Sequence, residues 1–448
     1  MLSLKNIMDL SSVVSEAKFS LNSPLNIKVD NRLLNSDSFF IAIVGERFNP
    51  LMHLEEVIKK KCKYVAYEQN SQNDILVKKY SEQINFIAVS NMTHFIQEVG
   101  KAVADNFREQ GGILIGISGS NGKTTTKEML FAILNRELGD GKVICTQKNN
   151  NNHIGVPFTL FQINLETRVA IIELGSNHPG EIEALCKIIN PQYGVTTNVG
   201  DTHLEFFENR NNVFLEESIL HKYCTVFFQN LDDELLSKLE KQHNWVSYGY
   251  TSDVNKIETI RDGIRINKID YIKKNITGPH NFINLGLSII IAHQVLGDNR
   301  SLVESVKKFA PTANRSEWLE FEGMNIFLDA YNANPSSMRA AIRGFSEYLA
   351  SIGAKPEEAL IILGDMNELG PGAEKFHEEF GEYLVSYGFG QAYFVGAYSH
   401  CYAKKYRGSS RVFQVTDEVQ GLLREANKKY VFVKGSRSLH LETILDRR

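Results

Sequence analysis

The stretch Gly116 to Leu130, GISGSNGKTTTKEML, constrains the fold of this 448-residue chain more than any other segment. It follows the short apolar run Ile113-Leu114-Ile115 and opens into a helix-like pattern. A strand, a glycine-rich turn and a helix, in that order, aim backbone N–H groups at an anion where the helix dipole also favours negative charge. Gly119 and Gly122 remove side chains that would block a close approach. Lys123 can reach terminal phosphates, and the Thr124 hydroxyl can ligate Mg²⁺. The spacing departs from the strict GxxxxGK[ST] form, because position 117 is Ile and Gly116 stands one place early. The GSNGKT core still predicts a nucleotide-phosphate loop. The bland alternative is a strand-to-helix turn with an incidental lysine.

A carboxylate at the end of another buried strand is the natural partner of such a loop. RVAIIELGSNHPGEI supplies one: an apolar run and then Glu173, placed to hold or orient Mg²⁺. Its alternative is an exposed strand-end glutamate.

The rest of the chain alternates strand-like and helix-like runs in three segments, which predicts an α/β protein of three domains. Residues 1–108 form a small N-terminal α/β domain with strands at FFIAIV, YVAYE and INFIAV. The polar DNFREQGG reads as a linker. Residues 109–312 form a central domain with a P-loop-type, mostly parallel sheet, from GILIGIS, KVICTQ, RVAIIELG, YGVTTNVG and CTVFFQN. Pro311 ends a helical pattern there. Residues 313–448 form a C-terminal Rossmann-like domain with four strand candidates, at MNIFLDAYNANP, EALIILGDM, QAYFVGAY and KYVFVKGS.

Bulk properties exclude other classes. A formal net charge of −4 and no basic stripe argue against nucleic-acid binding. Five scattered cysteines without a CxxC pair read as reduced thiols of a cytosolic protein, and no clustered Cys/His spacing suggests zinc. The N-terminus MLSLKNIMDLSS is not a signal peptide, and LGLSIIIAHQVLG is too short and too interrupted to cross a bilayer. A cytoplasmic protein without membrane insertion is expected.

Several motifs in fixed order then carry a family resemblance. GSNGKTTTKEML, NNNNHIGVPFTL, ELGSNHPGEI, TNVGDTHLE and GPHNFINLGLS resemble the Mur ligases, ATP-dependent amide ligases of peptidoglycan synthesis. In the third segment NRSEW, DAYNANPSSMRAAI, LGDMNELG and VKGSRS resemble members that join D-alanyl-D-alanine to UDP-N-acetylmuramoyl-tripeptide. The resemblance covers nearly the whole chain and is strongest over 116–206 and 314–370. It implies that the first domain holds the UDP end, the central domain holds ATP and Mg²⁺, and the third closes over both and binds the incoming amine. It also implies an acyl-phosphate intermediate. A monomer is expected.

The resemblance implies roles residue by residue. Gly119, Ser120, Asn121, Gly122, Lys123, Thr124 and Thr125 would surround the ATP phosphates. Asn281 and Asn284 would sit at the adenine, Asp329 at the ribose and Arg315 at the γ-phosphate. The metal set would be Thr124, Glu173, His203 and Glu217. Lys123, His203, Glu217 and Arg315 would be catalytic. Asp30 and Arg32 would bind uridine, although Asn31 stands where the family pattern has Ser. Asn151 and Asn152 would contact the sugar-peptide, and Tyr331, Asn332 and Asn334 would line the reaction centre. Lys434, Ser436 and Arg437 would lie near the dipeptide carboxylate.

Two departures stand out. Many members carry a carbamylated lysine about fourteen residues after the histidine of the HLE motif; that register falls on Glu217, with Glu216 beside it, and no lysine occurs between His203 and Leu220. Either glutamate is a candidate for the missing carboxylate, and a solvated helix face is the third possibility. The terminal SRSLHLETIL also lacks the further Asn and Arg of the pattern. The alternatives to the leading function are an amide ligase of the same family with another amine or acid, and a catalytically silent ATP-binding relative.

Overall fold

The computed structural model describes residues 3–14, 25–273, 276, 278–297, 301–308, 315–419 and 422–445. Among these, three separate sheets form. The first is wholly parallel: β1 (Asn26–Lys28), β2 (Ser38–Ile41), β3 (Tyr64–Glu68) and β4 (Asn85–Val89), in spatial order 1-2-3-4. Buried Phe39, Ile41, Ala66, Ile87 and Val89 line one face, and the helix Met92–Glu109 packs on them through Phe95, Ile96 and Val99. That helix runs straight through the DNFREQ expected to be a linker. Ala104 and Phe107, near its end, are buried in the core of the next unit, so the polar residues are its solvated face. The chain breaks only at Gly111, whose φ of +81° suits glycine.

The second sheet has nine strands. β5 (Ile113–Ser118), β6 (Val143–Cys145), β7 (Val169–Glu173), β8 (Tyr193–Thr196), β9 (Val226–Asn230) and β10 (Val246–Gly249) are joined by parallel pairing. β11 (Asn255–Ile260), β12 (Gly263–Ile266) and β13 (Ile269–Ile272) follow, with β11 parallel to β10 and the last two pairs antiparallel. The order is 13-12-11-10-9-8-5-7-6. β5 lies between β8 and β7, both buried, so the loops at its carboxyl end and theirs converge, the usual place for a ligand in such a sheet. The β11–β13 meander was not expected: its strands are short and half-exposed, with no long apolar run to mark them. The helices Lys123–Leu138 and Pro279–Leu296 pack together on this sheet, the second carrying a nearly continuous buried apolar run.

The third sheet has six strands where four were expected: β14 (Glu317–Phe321), β15 (Met324–Asp329), β16 (Ala359–Gly364), β17 (Gln391–Val395), β18 (Ser409–Phe413) and β19 (Tyr430–Lys434), in order 14-15-19-16-17-18. The two additions are the edges. β18 is almost wholly exposed, and β14 is a half-buried antiparallel partner of β15. One face of this sheet carries an aromatic cluster in which Trp318 packs on Phe327, Phe345 and Tyr348, with Phe432 stacked on Phe327 at 5.5 Å. The chain's other tryptophan, Trp245, lies in the central unit, edge-on to His221 and packed on Phe227. Pro311 and the proposed 312/313 boundary lie outside the described residues. All five cysteines are free, as expected. No described helix is long and apolar enough to cross a membrane.

Candidate active site

The phosphate loop sits between Ser118, the last residue of β5, and Lys123, the first of its helix. Its shape is dictated by two left-handed glycines, with φ of +123° at Gly119 and +84° at Gly122. A Cβ at Gly119 would stand 2.2 Å from Thr197 Oγ1, and one at Gly122 would stand 2.8 Å from Asn284 Oδ1. The segment after β8 braces the loop from below. Ser120 N–H donates to the Asn198 carbonyl (2.9 Å), Asn121 N–H donates to Asn198 Oδ1 (3.1 Å), and Thr197 Oγ1 donates to the Asn121 carbonyl (2.6 Å). Ser120 is buried, and its hydroxyl accepts the Gly200 N–H. Ser120 and Asn121 therefore shape the loop, while the first-turn N–H groups of the helix, Lys123 to Thr125, have no carbonyl of their own helix to bond and can face an anion. Lys123 Nζ donates to the Gly119 carbonyl.

Thr124 and Glu173 meet across the β5–β7 boundary. The Thr124 hydroxyl donates to both carboxylate oxygens, at 2.9 and 3.1 Å. Glu173 is nearly buried. Asn151 Nδ2 donates to its Oε1 (3.1 Å), and Lys127 Nζ lies 3.7 Å from Oε2. Sequence reasoning missed Lys127 and Thr146. Lys127, 1 % exposed, also meets Glu128 (2.9 Å) and donates to the Thr146 carbonyl (2.5 Å), while Thr146 Oγ1 accepts the Glu173 N–H (2.9 Å). The signal was available: Lys127 is one helical turn beyond Lys123 and shares its face.

The two adjacent glutamates on the helix Arg210–Ser218 part company. Glu216 accepts from Ser176 Oγ (2.8 Å), Gly180 N–H (2.7 Å) and Ile182 N–H (2.8 Å). It caps the helix Glu181–Ile189, whose own N-cap, Gly180, has no side chain to do so. Glu216 is thus corrected from a candidate ligand to a brace of the loop after β7. Glu217 Oε2 instead accepts the Gly119 N–H at 2.6 Å, inside the phosphate loop. Burial pushes its carboxyl above the usual carboxylate range, opposed by Lys123 and by the Gly119 N–H.

The metal set is therefore split. Thr124 and Glu173 are together, whereas His203 lies against Glu368 of the third unit, with Nδ1 2.5 Å from Oε2. Among the described residues, no group of three or more His, Cys, Asp or Glu side chains forms a cation cage. A hydroxyl and a carboxylate beside an anion-binding loop still suit Mg²⁺, a hard cation that takes few protein oxygens and completes its shell with water and substrate phosphates.

The third unit closes the site from the far side. Tyr331 donates to Asn149 Oδ1, and the Arg315 guanidinium stacks on the Tyr331 ring at 3.6 Å from its centroid. Asn334 caps the helix Pro335–Ser351, and its Nδ2 donates to Asn121 Oδ1 (2.7 Å); Asn121 Nδ2 donates to Ser336 Oγ (3.0 Å). Asn332 Oδ1 accepts the Ala333 N–H, a local turn. Lys434 is 2 % exposed, and its ammonium donates to Asp329 Oδ2 (2.6 Å) and the Asn332 carbonyl (2.9 Å). Strand pairing of β15 with β19 sets Asp329 directly beside Lys434, so this lysine ties the loop that follows β15 to the end of β19. Ser436 is buried and accepts the Asn367 N–H, and Arg437 pairs with Glu442. Asn281 and Asn284 are buried at the start of their helix, and the Asn284 amide lies over Gly122. Asn152 caps the turn at Ile154 and Gly155. Asp30 and Arg32 pair with each other at 2.7 Å beyond the end of β1, in the first unit.

Comparison with known proteins fits this geometry. The Mur ligase middle domain matches residues 117–292, and the Mur ligase glutamate ligase domain matches 314–437. The chain belongs to the Mur ligase family. Mur ligases similar to it along nearly their full length include the UDP-N-acetylmuramoyl-tripeptide–D-alanyl-D-alanine ligase of Bacillus subtilis, 29% identical over 99% of this chain and 97% of the relative. The enzyme of the same name from Treponema pallidum is 28% identical over 93% and 92%. Among solved structures, the Mur ligase MurF from Acinetobacter baumannii superposes with a TM-score of 0.80 at 23% identity, covering 99% of this chain and 97% of that one. MurF from Thermotoga maritima in complex with ADP gives 0.76 at 22%, covering 94% and 96%. The shared Mur ligase fold includes all three units.

Proposed function

We propose that this chain is the ATP-dependent ligase that joins D-alanyl-D-alanine to UDP-N-acetylmuramoyl-tripeptide, a cytoplasmic step of peptidoglycan synthesis carried out by a monomer. The observation that carries the reading is the end-to-end match to ligases of that name, over 99% of the chain in the first case, together with the Thr124–Glu173 pair under the phosphate loop.

The chemistry starts from a poor acylating agent, a carboxylate. Transfer of the γ-phosphoryl group of ATP to the tripeptide carboxylate gives an acyl phosphate, the dipeptide amine attacks through a tetrahedral intermediate, and phosphate leaves. The helix N-terminus at Lys123–Thr125 binds the phosphates, and the Lys123 ammonium, released from the Gly119 carbonyl, neutralises charge on the transferring group. Thr124 and Glu173 would hold Mg²⁺, which supplies Lewis-acid stabilisation of the phosphoryl oxygens when bound. Asn151 and Lys127 fix the Glu173 carboxylate from behind. Arg315, held flat on Tyr331, approaches the γ-phosphate from the third unit. The closed contact between Asn121, Asn334 and Ser336 keeps water from the acyl phosphate. Glu217 is the direct carboxylate that stands in for the carbamylated lysine.

The test is ADP release by the purified protein with ATP, Mg²⁺ and UDP-N-acetylmuramoyl-tripeptide, with and without D-alanyl-D-alanine. Release that needs both substrates, with a product heavier by one dipeptide, supports the ligase. ATP binding without such release points to another amine or acid, or to a silent relative.

A further inference from the structure

We propose that Glu368 is a positioning residue for His203, carried into the active site by the third unit, so that the His203 ring is set in place only while that unit is docked. The inference rests on the ligase reading and adds to it a residue to which neither the sequence nor the comparisons gave a role.

His203 belongs to the central unit, just before the short helix Leu204–Phe207, and takes a left-handed φ of +51°. Its Nδ1 is buried, and no aligned hydrogen bond reaches it; the Glu368 carboxylate at 2.5 Å is its polar contact. Glu368 is also left-handed, at +61°. Its carbonyl accepts the Glu205 N–H at 3.2 Å, so side chain and backbone dock on the same three residues. Leu204, between them, packs both on the third unit's core and on the central cluster of Val199, Phe207, Val213 and Leu236. At Gly370, with φ of +62°, a Cβ would lie 3.1 Å from the Glu205 Cα. The fit is close, and two non-glycine residues hold uncommon backbone conformations facing each other across it. Such conformations persist where the surroundings over-determine them, and they gather at functional sites.

The Glu368 loop is itself anchored to the third unit. The Met366 N–H donates to Nε2 of the fully buried His377 (2.9 Å), and the Asn367 N–H donates to Ser436 Oγ (3.1 Å). Asp365 accepts the Ala397 N–H (2.8 Å) and the Tyr398 N–H (3.0 Å). A rigid loop on one unit thus grips a rigid turn on the other. Separating the units would free the His203 ring.

The experiment compares wild type with E368A, E368Q, H203A and the double variant in the dipeptide-dependent ADP-release assay. E368A is expected to lower kcat at least tenfold, with KM for ATP and the Kd of fluorescent N-methylanthraniloyl-ADP both within twofold of wild type. E368Q keeps an acceptor oxygen and is expected to recover at least half of the wild-type kcat. The double variant is expected to be no slower than H203A alone, because both substitutions remove one interaction. An E368A kcat within twofold of wild type, or losses that multiply in the double variant, would overturn the proposal. If E368A does not fold, E368D, whose carboxylate is one methylene short, decides: a loss of at least threefold supports the proposal and an unchanged rate overturns it. A wild type without dipeptide-dependent turnover sinks the ligase reading instead. The pair is then tested by carbethoxylation of His203 with diethyl pyrocarbonate, read by peptide mass spectrometry. In E368A the rate should rise at least threefold, and an unchanged rate overturns the proposal.

Discussion

Glu216 and Glu217 are neighbours in sequence with opposite expected contributions to stability. Replacing Glu216 by Ala strips three donors of their acceptor: the Ser176 hydroxyl and the N–H groups of Gly180 and Ile182. Each of the two buried donors, at Ser176 and Ile182, left unsatisfied costs about 1–3 kcal/mol, and loss of a helix cap at the exposed Gly180 about 1 kcal/mol. Water will re-solvate part of the gap, so a total of roughly 3–5 kcal/mol is reasonable. For a unit of about 150–250 residues each kcal/mol moves the thermal midpoint by about 2–4 °C, so E216A should melt about 10 °C lower. Glu217→Gln should behave differently. Burial raises the Glu217 pKa above its unfolded value, so the folded state binds that proton more tightly than the unfolded state does. The ionised carboxylate therefore opposes folding at neutral pH, and stability from this group is gained only as pH falls through the folded pKa. A neutral amide removes that cost. E217Q should melt at or above the wild-type midpoint while dipeptide-dependent ADP release falls at least tenfold. The assay is differential scanning fluorimetry of both variants at pH 7.5, alongside turnover. Equal drops in midpoint for the two variants, or an E216A midpoint within 2 °C of wild type, would refute this division of labour.

Gly119→Ala forces a Cβ onto Thr197 at a φ that L-residues avoid, at a cost of roughly 1–3 kcal/mol, so nucleotide affinity should weaken about tenfold to a hundredfold; an unchanged Kd for fluorescent ADP would show that the loop is not the cradle. Burial depresses the His280 pKa to about 4, so as pH falls from about 6.5 toward 4 the unfolded chain takes up a proton that the folded state resists, and stability is lost. The thermal midpoint should drop over that window, and His280→Gln should flatten the curve; parallel curves would reject the assignment. Lys434→Met leaves the partly buried Asp329 without its partner, and breaking a fully buried pair costs about 3–5 kcal/mol, an upper bound here. A lower midpoint and a raised KM for ATP are expected, and an unaltered KM would separate the pair from the ribose side of the site.

What the sequence disclosed depended on whether the signal was local. The phosphate loop was legible because strand, glycine turn, Lys-Thr and helix are contiguous, and Glu173 because an apolar run ends on it. The three α/β units followed from buried strands that read as unbroken apolar runs. β18 and the β11–β13 meander escaped because exposed or half-buried strands carry no such run. The end of the helix Met92–Glu109 read as a linker because its last turns turn polar faces to solvent while Phe107 points inward. The choice between Glu216 and Glu217 was beyond the sequence: adjacent residues on one helix face different loops, and only the tertiary packing says which. The contact of Lys434 was out of reach for a related reason, since its partner Asp329 lies on a neighbouring strand more than a hundred residues away.

The two tryptophans fall in different units, Trp245 in the middle and Trp318 in the last, while the first has none. The chain therefore carries one tryptophan in each of these two units, in different surroundings: one edge-on to an imidazole, the other packed on Phe327, Phe345 and Tyr348. Excited at the red edge of its absorption, where tyrosine does not absorb, a Trp245→Phe chain would emit from Trp318 alone. Its emission would then time the unfolding of the last unit alone, and comparison with the parent would tell whether the two bodies melt as one cooperative block or in sequence.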